Sequence, residues 1–266
     1  MSDELLTEVR DGVARMTFNR PHERNALGPT TIEEMMAFVR EVEARPEVRV
    51  ILLSGTGEHF MAGGNVKSFA KIVQDSSPDE RRRMFEERIH KMHIMFYTMA
   101  RMPQPIIAAV RGGCAGVGLS FVLACDMAIA SETAFFTMGY IHIGTSPDGS
   151  ATYHLPRTVG RKKAMELALL GDRFPAADAE RYGIVNRVVP DADLEARAEE
   201  IAQRLASGPG VAIGNTKRLL NASLQNSIES QLQMEGEMFA RCAASADWVE
   251  GVTAFAEKRK TRFTGA

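Results

Sequence analysis

The sequence predicts an α/β fold that passes into an all-helical region. Short apolar, often β-branched runs alternate with helical patterns as far as about residue 190, and only helical patterns follow. The runs at 48–55, closed by glycine, and 105–110, followed by a glycine-rich turn, read as buried strands. A length of 266 residues, 45% hydrophobic and 25% charged, supplies core for one large domain or a domain with a helical appendage. The division expected is a core over 1–190 and a helical region over 191–266.

Taken in order, TEVRDGVARMTFN (7–19) is two alternating runs around Asp11-Gly12, a hairpin signal, and Arg20-Pro21 ends it. Thr31 and Glu34 have capping-box spacing and open a helix with Ile32, Met35, Val39 and Val42 on one face. VRVILLSG (48–55) reads as a buried strand, GEHFMAGGNV (57–66) as a glycine-bearing loop, and Lys67–Ile72 as a short helix. Ser77-Pro78-Asp79-Glu80 gives the next helix a cap, a first-turn proline and an acid at the third position; it runs to about Met102, before Pro103 and Pro105. PIIAAV (105–110) is a buried strand, RGGCAGVG (111–118) a glycine-rich turn, 118–126 a short buried helix, and 127–131 and 134–137 two more strands. Helices are expected after Gly160, then at 191–206, 211–223, 227–245 and 247–258.

A formal net charge of −2 leaves no overall basic field for nucleic acid or an anionic membrane, so an anionic ligand must be met by a local patch. The three cysteines, Cys114, Cys125 and Cys242, lack C-x-x-C spacing and are expected as free thiols in a reducing cytosol. The segment MSDELLTEVR lacks the apolar stretch of a secretory leader, and no apolar run reaches the roughly 18 residues of a membrane span. The expectation is a soluble, cytoplasmic protein. Arg81-Arg82-Arg83 lies in a Glu-rich helix and reads as a solvated face. Met92, Met95, Met99 and Met102 form a helical stripe, which suits the core, although flexible thioethers also suit an acyl pocket.

Three stretches invite chemistry. HFMAGGNV (59–66) and RGGCAGVGLS (111–120) each follow a strand with small residues and a helix start. Glycines there let backbone amides approach a ligand, and two such amides can hold one oxyanion; tight strand–helix packing is the plainer use. Gly116-x-Gly118 lacks the third glycine of a dinucleotide fingerprint. In TSPDG (145–149), Asp148 is either turn punctuation or a carboxylate held against a substrate.

Nearly the whole chain resembles the crotonase, or enoyl-CoA hydratase/isomerase, superfamily. The resemblance is carried by FNRPHERNAL (18–27), HFMAGGNVKSF (59–69), AAVRGGCAGVGLSFVLACD (108–126), the stretch 144–189 and EGVTAFAEKRKTRF (250–263). It implies a crotonase-type spiral of ββα units with C-terminal helices used in a homotrimer or hexamer. It implies an acyl-CoA thioester substrate, no metal, and no separate cofactor, because coenzyme A enters as part of the substrate. Carried over by position, the amides of Gly64 and Val117 are the oxyanion donors. Arg24, Ala26, Ala62, Lys67, Phe255 and Lys258 fall at coenzyme A contacts, with catalysis and thioester binding in 1–190 and part of the coenzyme A site in 191–266. Val117 stands where many relatives have glycine, which narrows the pocket but keeps the N–H. Asn65 replaces an aspartate, a structural change.

The chain departs from the hydratases of the family. Their two catalytic glutamates match Ser120 and Tyr140, and neither hydroxyl is a base near neutral pH. The acid that remains is Asp148, in the S-P-[DE]-G turn that resembles delta-3/delta-2 enoyl-CoA isomerases and the ring-rearranging isomerase of phenylacetate breakdown. Double-bond migration needs one base that takes a proton from the α carbon and returns it at the γ carbon. Two rivals remain. An aryl-CoA dehalogenase would use Asp148 as a nucleophile, helped by a histidine such as His90 or His93 and a neighbouring tryptophan, but the single tryptophan is Trp248. A non-catalytic acyl-CoA-binding homologue would need no acid at all.

Overall fold

The computed structural model describes residues 4–265. The chain begins with a hairpin, β1 (Leu5–Arg10) and β2 (Val13–Phe18), paired antiparallel around Asp11-Gly12 with Arg10 opposite Val13. α1 (Thr31–Glu43) then leads to β3 (Val50–Gly55), parallel to β2. β4 (Ile106–Val110), β6 (Met127–Ser131) and β9 (Arg187–Val189) extend the same sheet in parallel, giving the order β1-β2-β3-β4-β6-β9.

Parallel strands covered on both faces should be apolar at every position; β4 is, and so is β3 from Val50 to Leu53, where its burial is complete. Period-two alternation divides them. Ile51, Leu53, Ile106 and Ala108 enter the main core with Met16, Phe18, Phe60 and Phe121. Val50, Leu52, Ile107 and Ala109 enter a second cluster against Leu194, Ala198 and Ala202 of α8 (Leu194–Ala206).

A second, smaller sheet lies one step along each connection. β5 (Gly113–Ala115) follows β4, and β7 (Phe135–Thr137) follows β6; they pair in parallel, with β8 (Phe174–Pro175) antiparallel beyond. A bridge at Met61, after β3, pairs with Cys114 of β5. Three successive turns of chain therefore repeat one plan: a strand in the large sheet, a short pairing in the small one, then a helix. The helices are α2 (Val66–Asp75) with α3 (Pro78–Arg101), then α4 (Val117–Ala124), then α5 (Ala151–Val159). This is the spiral expected from the resemblance.

α3 has the complete capping box at Ser77 and Glu80, and its methionine stripe is core: Met95, Met99 and Met102 are buried among apolar neighbours. Arg82 and Arg83 are exposed. The capping box expected at Thr31 and Glu34 does not form. Thr30 is the N-cap, and the Thr31 hydroxyl donates to the Glu4 carboxylate at 2.8 Å, because β1 brings that acid onto the helix start. After α6 (Arg161–Leu170) and α7 (Ala176–Arg181), the end of the chain is α8, α9 (Gly210–Ser223), α10 (Ile228–Ala243) and α11 (Ala246–Ala256). All three cysteines are free thiols, and no described helix is long and apolar enough to cross a membrane.

Candidate active site

Met61 and Cys114 pair across two turns of the spiral, and Gly64 and Val117 each lie three residues further along. The two loops meet main chain to main chain. A Cβ placed on Gly63 would come within 2.8 Å of the Ala115 carbonyl oxygen, and one on Gly116 within 3.8 Å of the Gly63 Cα. Both glycines have positive φ (98° and 54°), a region that is costly for a side chain even without the contact. Among the described residues, neither the Gly64 N–H nor the Val117 N–H has a hydrogen-bond acceptor. Val117 opens α4, where an N–H has no acceptor within the helix, and Gly64 is half-buried in the loop that touches it, so both donors are open to a ligand. The Val117 side chain is packed in the main core, and the Phe69 ring of α2 lies over Gly64.

The third turn of the spiral supplies the acid. β7 leads into a 3-10 turn, Tyr140–Ile143, and the chain then turns again at Asp148, whose carbonyl accepts from the Ala151 N–H at 3.2 Å. The turn thus starts at Asp148 instead of closing after it. Gly149 fixes it: with φ +58°, it sits where an added Cβ would meet Phe96 at 2.8 Å and Ser120 Cβ at 2.9 Å.

The Tyr140 hydroxyl donates to Asp148 Oδ1 at 2.6 Å. Ser120 Oγ on α4 lies 3.1 Å from that hydroxyl and donates to the Asp148 carbonyl at 3.0 Å. Ser120 is fully buried and Tyr140 is 9% exposed, while Asp148 itself is half-buried. Burial pushes the Asp148 carboxyl above the usual carboxylate range, against the opposing pull of the Tyr140 hydrogen bond and the nearby His93. Burial, then the neighbouring Asp148 charge, raise Tyr140 well above an ordinary phenol. Tyr140 is therefore a protonated donor at any physiological pH. The two positions that match the hydratase glutamates thus lie next to Asp148, and neither carries a carboxyl.

Of the residues matched to coenzyme A contacts, Arg24, Ala26 and Ala62 lie in loops tied to the Gly64 loop. Ala62 N–H donates to the Arg24 carbonyl and Leu27 N–H to the Gly63 carbonyl, both at 2.9 Å; the Ala26 carbonyl accepts from Arg20. Asn65 caps α2 through the Ser68 N–H and also donates to Glu23 at 3.0 Å. An aspartate there would lack that second bond, which accounts for the amide. Lys67, in the first turn of α2, and Arg24 are exposed and form no ion pair among the described residues. Phe255 and Lys258 stand apart: Phe255 is 87% exposed, and no hydrogen bond, ion pair or ring contact among the described residues joins either to these loops. His90 and His93 are exposed on α3, and Trp248 lies on α11 with no contact to Asp148. The described residues hold no cluster suited to a metal ion. The Tyr140–Asp148 bond is the feature that sequence reasoning missed. Its only signal is a hydroxyl eight residues before the acid, separated from it by a 3-10 turn that the pattern does not reveal.

Comparison with known proteins places the chain in a family. A family model described as Enoyl-CoA hydratase/isomerase matches residues 8–266. The chain is 34% identical over 265 residues to a 1,2-epoxyphenylacetyl-CoA isomerase of Escherichia coli, covering 100% of each chain. It is 33% identical to a short-chain-enoyl-CoA hydratase of Clostridium acetobutylicum, covering 97% and 96%. The crystal structure of an enoyl-CoA hydratase from Polaromonas sp. JS666 superposes with a TM-score of 0.91 at 31% identity, over 97% of this chain and 99% of that one. Fold and similarity thus converge: the chain belongs to the enoyl-CoA hydratase/isomerase family and has the crotonase fold.

Proposed function

We propose that this protein is an acyl-CoA isomerase that moves a double bond from the β,γ to the α,β position of a thioester. One observation carries the reading: Asp148 is the only carboxyl group joined to the hydrogen-bonded cluster of Ser120 and Tyr140 among the described residues. With one acid, the same group serves first as base and then as acid. Its carboxylate takes a proton from the α carbon, breaking that C–H bond as an O–H bond forms. The electron pair moves into a dienolate, whose charged oxygen accepts from the Gly64 and Val117 N–H groups. The proton then passes from the carboxyl to the γ carbon, leaving the conjugated thioester and the starting carboxylate. Coenzyme A enters with the substrate, its anionic groups facing Arg24 and Lys67. Phe255 and Lys258 complete the coenzyme A site only in an assembly. The exposed Leu220, Leu224, Leu232 and Phe239 on α9 and α10 support the homotrimer or hexamer that the resemblance implies.

A second reading has its own support, the similarity to the Escherichia coli isomerase of 1,2-epoxyphenylacetyl-CoA: a ring-bearing acyl group in place of a linear one. Incubation with a 3-enoyl-CoA should raise the ultraviolet absorbance of the conjugated thioester, and Asp148→Asn should abolish the rise. Full activity in that variant overturns the assignment. Chloride release from a chlorobenzoyl-CoA would favour the dehalogenase alternative. Tight thioester binding without turnover of any of these substrates would favour a binding homologue.

A further inference from the structure

We propose that Tyr140 is a positioning residue that reserves one oxygen of Asp148 for proton transfer, an inference that rests on the isomerase reading. The geometry is specific. A carboxylate can rotate and present either oxygen, but here Oδ1 accepts from the Tyr140 hydroxyl at 2.6 Å. That hydroxyl is placed by the packing around it. Its ring lies against the Gly116 main chain, with Cζ 3.8 Å from where a Cβ would stand on that glycine, and its oxygen is 3.1 Å from the fully buried Ser120 Oγ. Tyr140 has one hydroxyl proton and gives it to Oδ1, and Ser120 directs its own toward the Asp148 carbonyl at 3.0 Å, so the 3.1 Å approach of the two hydroxyl oxygens is a packing contact and each is tied to Asp148 separately. Side chain and backbone of the acid are thereby clamped from α4 and from the 3-10 turn together.

The consequence is a division of the two oxygens. Oδ1 keeps its hydrogen bond throughout, and Oδ2 alone takes the proton from the α carbon and returns it at the γ carbon. Tyr140 is never deprotonated and never touches the reacting carbons. A single transferring oxygen works on one face of the dienolate, so an α-deuterated substrate should deliver part of its label to the γ carbon. Charge-assisted hydrogen bonds are among the stronger ones, and this one stabilises the carboxylate form. The other titratable group facing Asp148 is His93 on α3, which acts in the same direction; Ser120 on α4 is uncharged.

The test is a titration of the whole protein carrying carboxyl-¹³C aspartate, with the Asp148 signal assigned by its loss in Asp148→Asn. In Tyr140→Phe, which keeps the ring and loses the hydroxyl, the signal should titrate at higher pH than in the parent. The acid limb of the rate profile should move the same way, with kcat down about tenfold or more and KM within about twofold. An Asp148 titration that does not move overturns the proposal, as does a rise in KM with kcat unchanged. Should Tyr140→Phe fail to fold, replacing the four tyrosines by 3-fluorotyrosine sharpens the donor without changing its shape. Asp148 should then titrate at lower pH, and no movement overturns the proposal. Because the titration needs no substrate, it stands or falls separately from the isomerase activity.

Discussion

Asp148 sets activity and stability against each other. Its carboxyl is raised by burial, so the fold prefers the protonated form. A group of this sign contributes stability that is fully present below its unfolded value and is lost as pH rises through its folded value. The proposed mechanism needs the ionised form, so activity should rise over the same window in which stability falls. Asp148→Asn should lower isomerase turnover by about a hundredfold or more. It should also be more stable than the parent near neutral pH by chemical denaturation, with less dependence of stability on pH. Gly149 carries a second prediction. Gly149→Ala combines positive φ with overlap against Phe96 and Ser120, and should cost about 1–3 kcal/mol in denaturant titration and reduce activity by displacing the acid. The acid was legible in the sequence because a carboxyl beside proline and glycine lies in a recognisable stretch. Its partner was not, because Tyr140 reaches Asp148 only through the three-dimensional path of the intervening turn.

At the scale of elements, local chemistry was readable and non-local pairing was not. The hairpin at Asp11-Gly12, the β3 run and the capping box of α3 are each specified within a few neighbouring residues. β5 is Gly-Cys-Ala and β8 is Phe-Pro, sequences with little strand propensity; each pairs with β7, β5 because the larger sheet delivers both and β8 because the chain returns there after α6. Thr31 missed its capping role for a related reason, since the acid that engages it comes from the start of β1. α9 depends on a tertiary tie of the same kind. Lys217 is buried, pairs with Asp126 at 2.8 Å, and donates to the carbonyls of Met99 and Gln104 at 2.8 and 3.0 Å. It joins α9 to the end of α3 and to the approach to β4. Lys217→Met should destabilise the protein by about 1–3 kcal/mol, since it leaves the Met99 and Gln104 carbonyls without their donor and Asp126 without its cation, and thermal unfolding would measure it.

The molecule as a whole leaves one face of its C-terminal helices without a cover. Leu220, Leu224, Leu232 and Phe239 are exposed large side chains on α9, the residue after it, and α10, a density better suited to burial between copies than to water. Sedimentation should report a trimer or hexamer for the parent and a smaller species for Phe239→Glu, with weaker thioester binding if Phe255 and Lys258 serve a neighbouring copy. The meeting of Gly63 with Gly116 has a longer reach. Two loops indexed against each other by main chain alone are indifferent to most of the amino acids around them. In the proposed mechanism, recognition of the thioester is thereby written into the winding of the polypeptide, while proton chemistry is delegated to three changeable positions, 120, 140 and 148. A descendant can trade one reaction for another at those sites and keep its grip on the substrate, so a single ancestral scaffold is free to diversify without first having to refold.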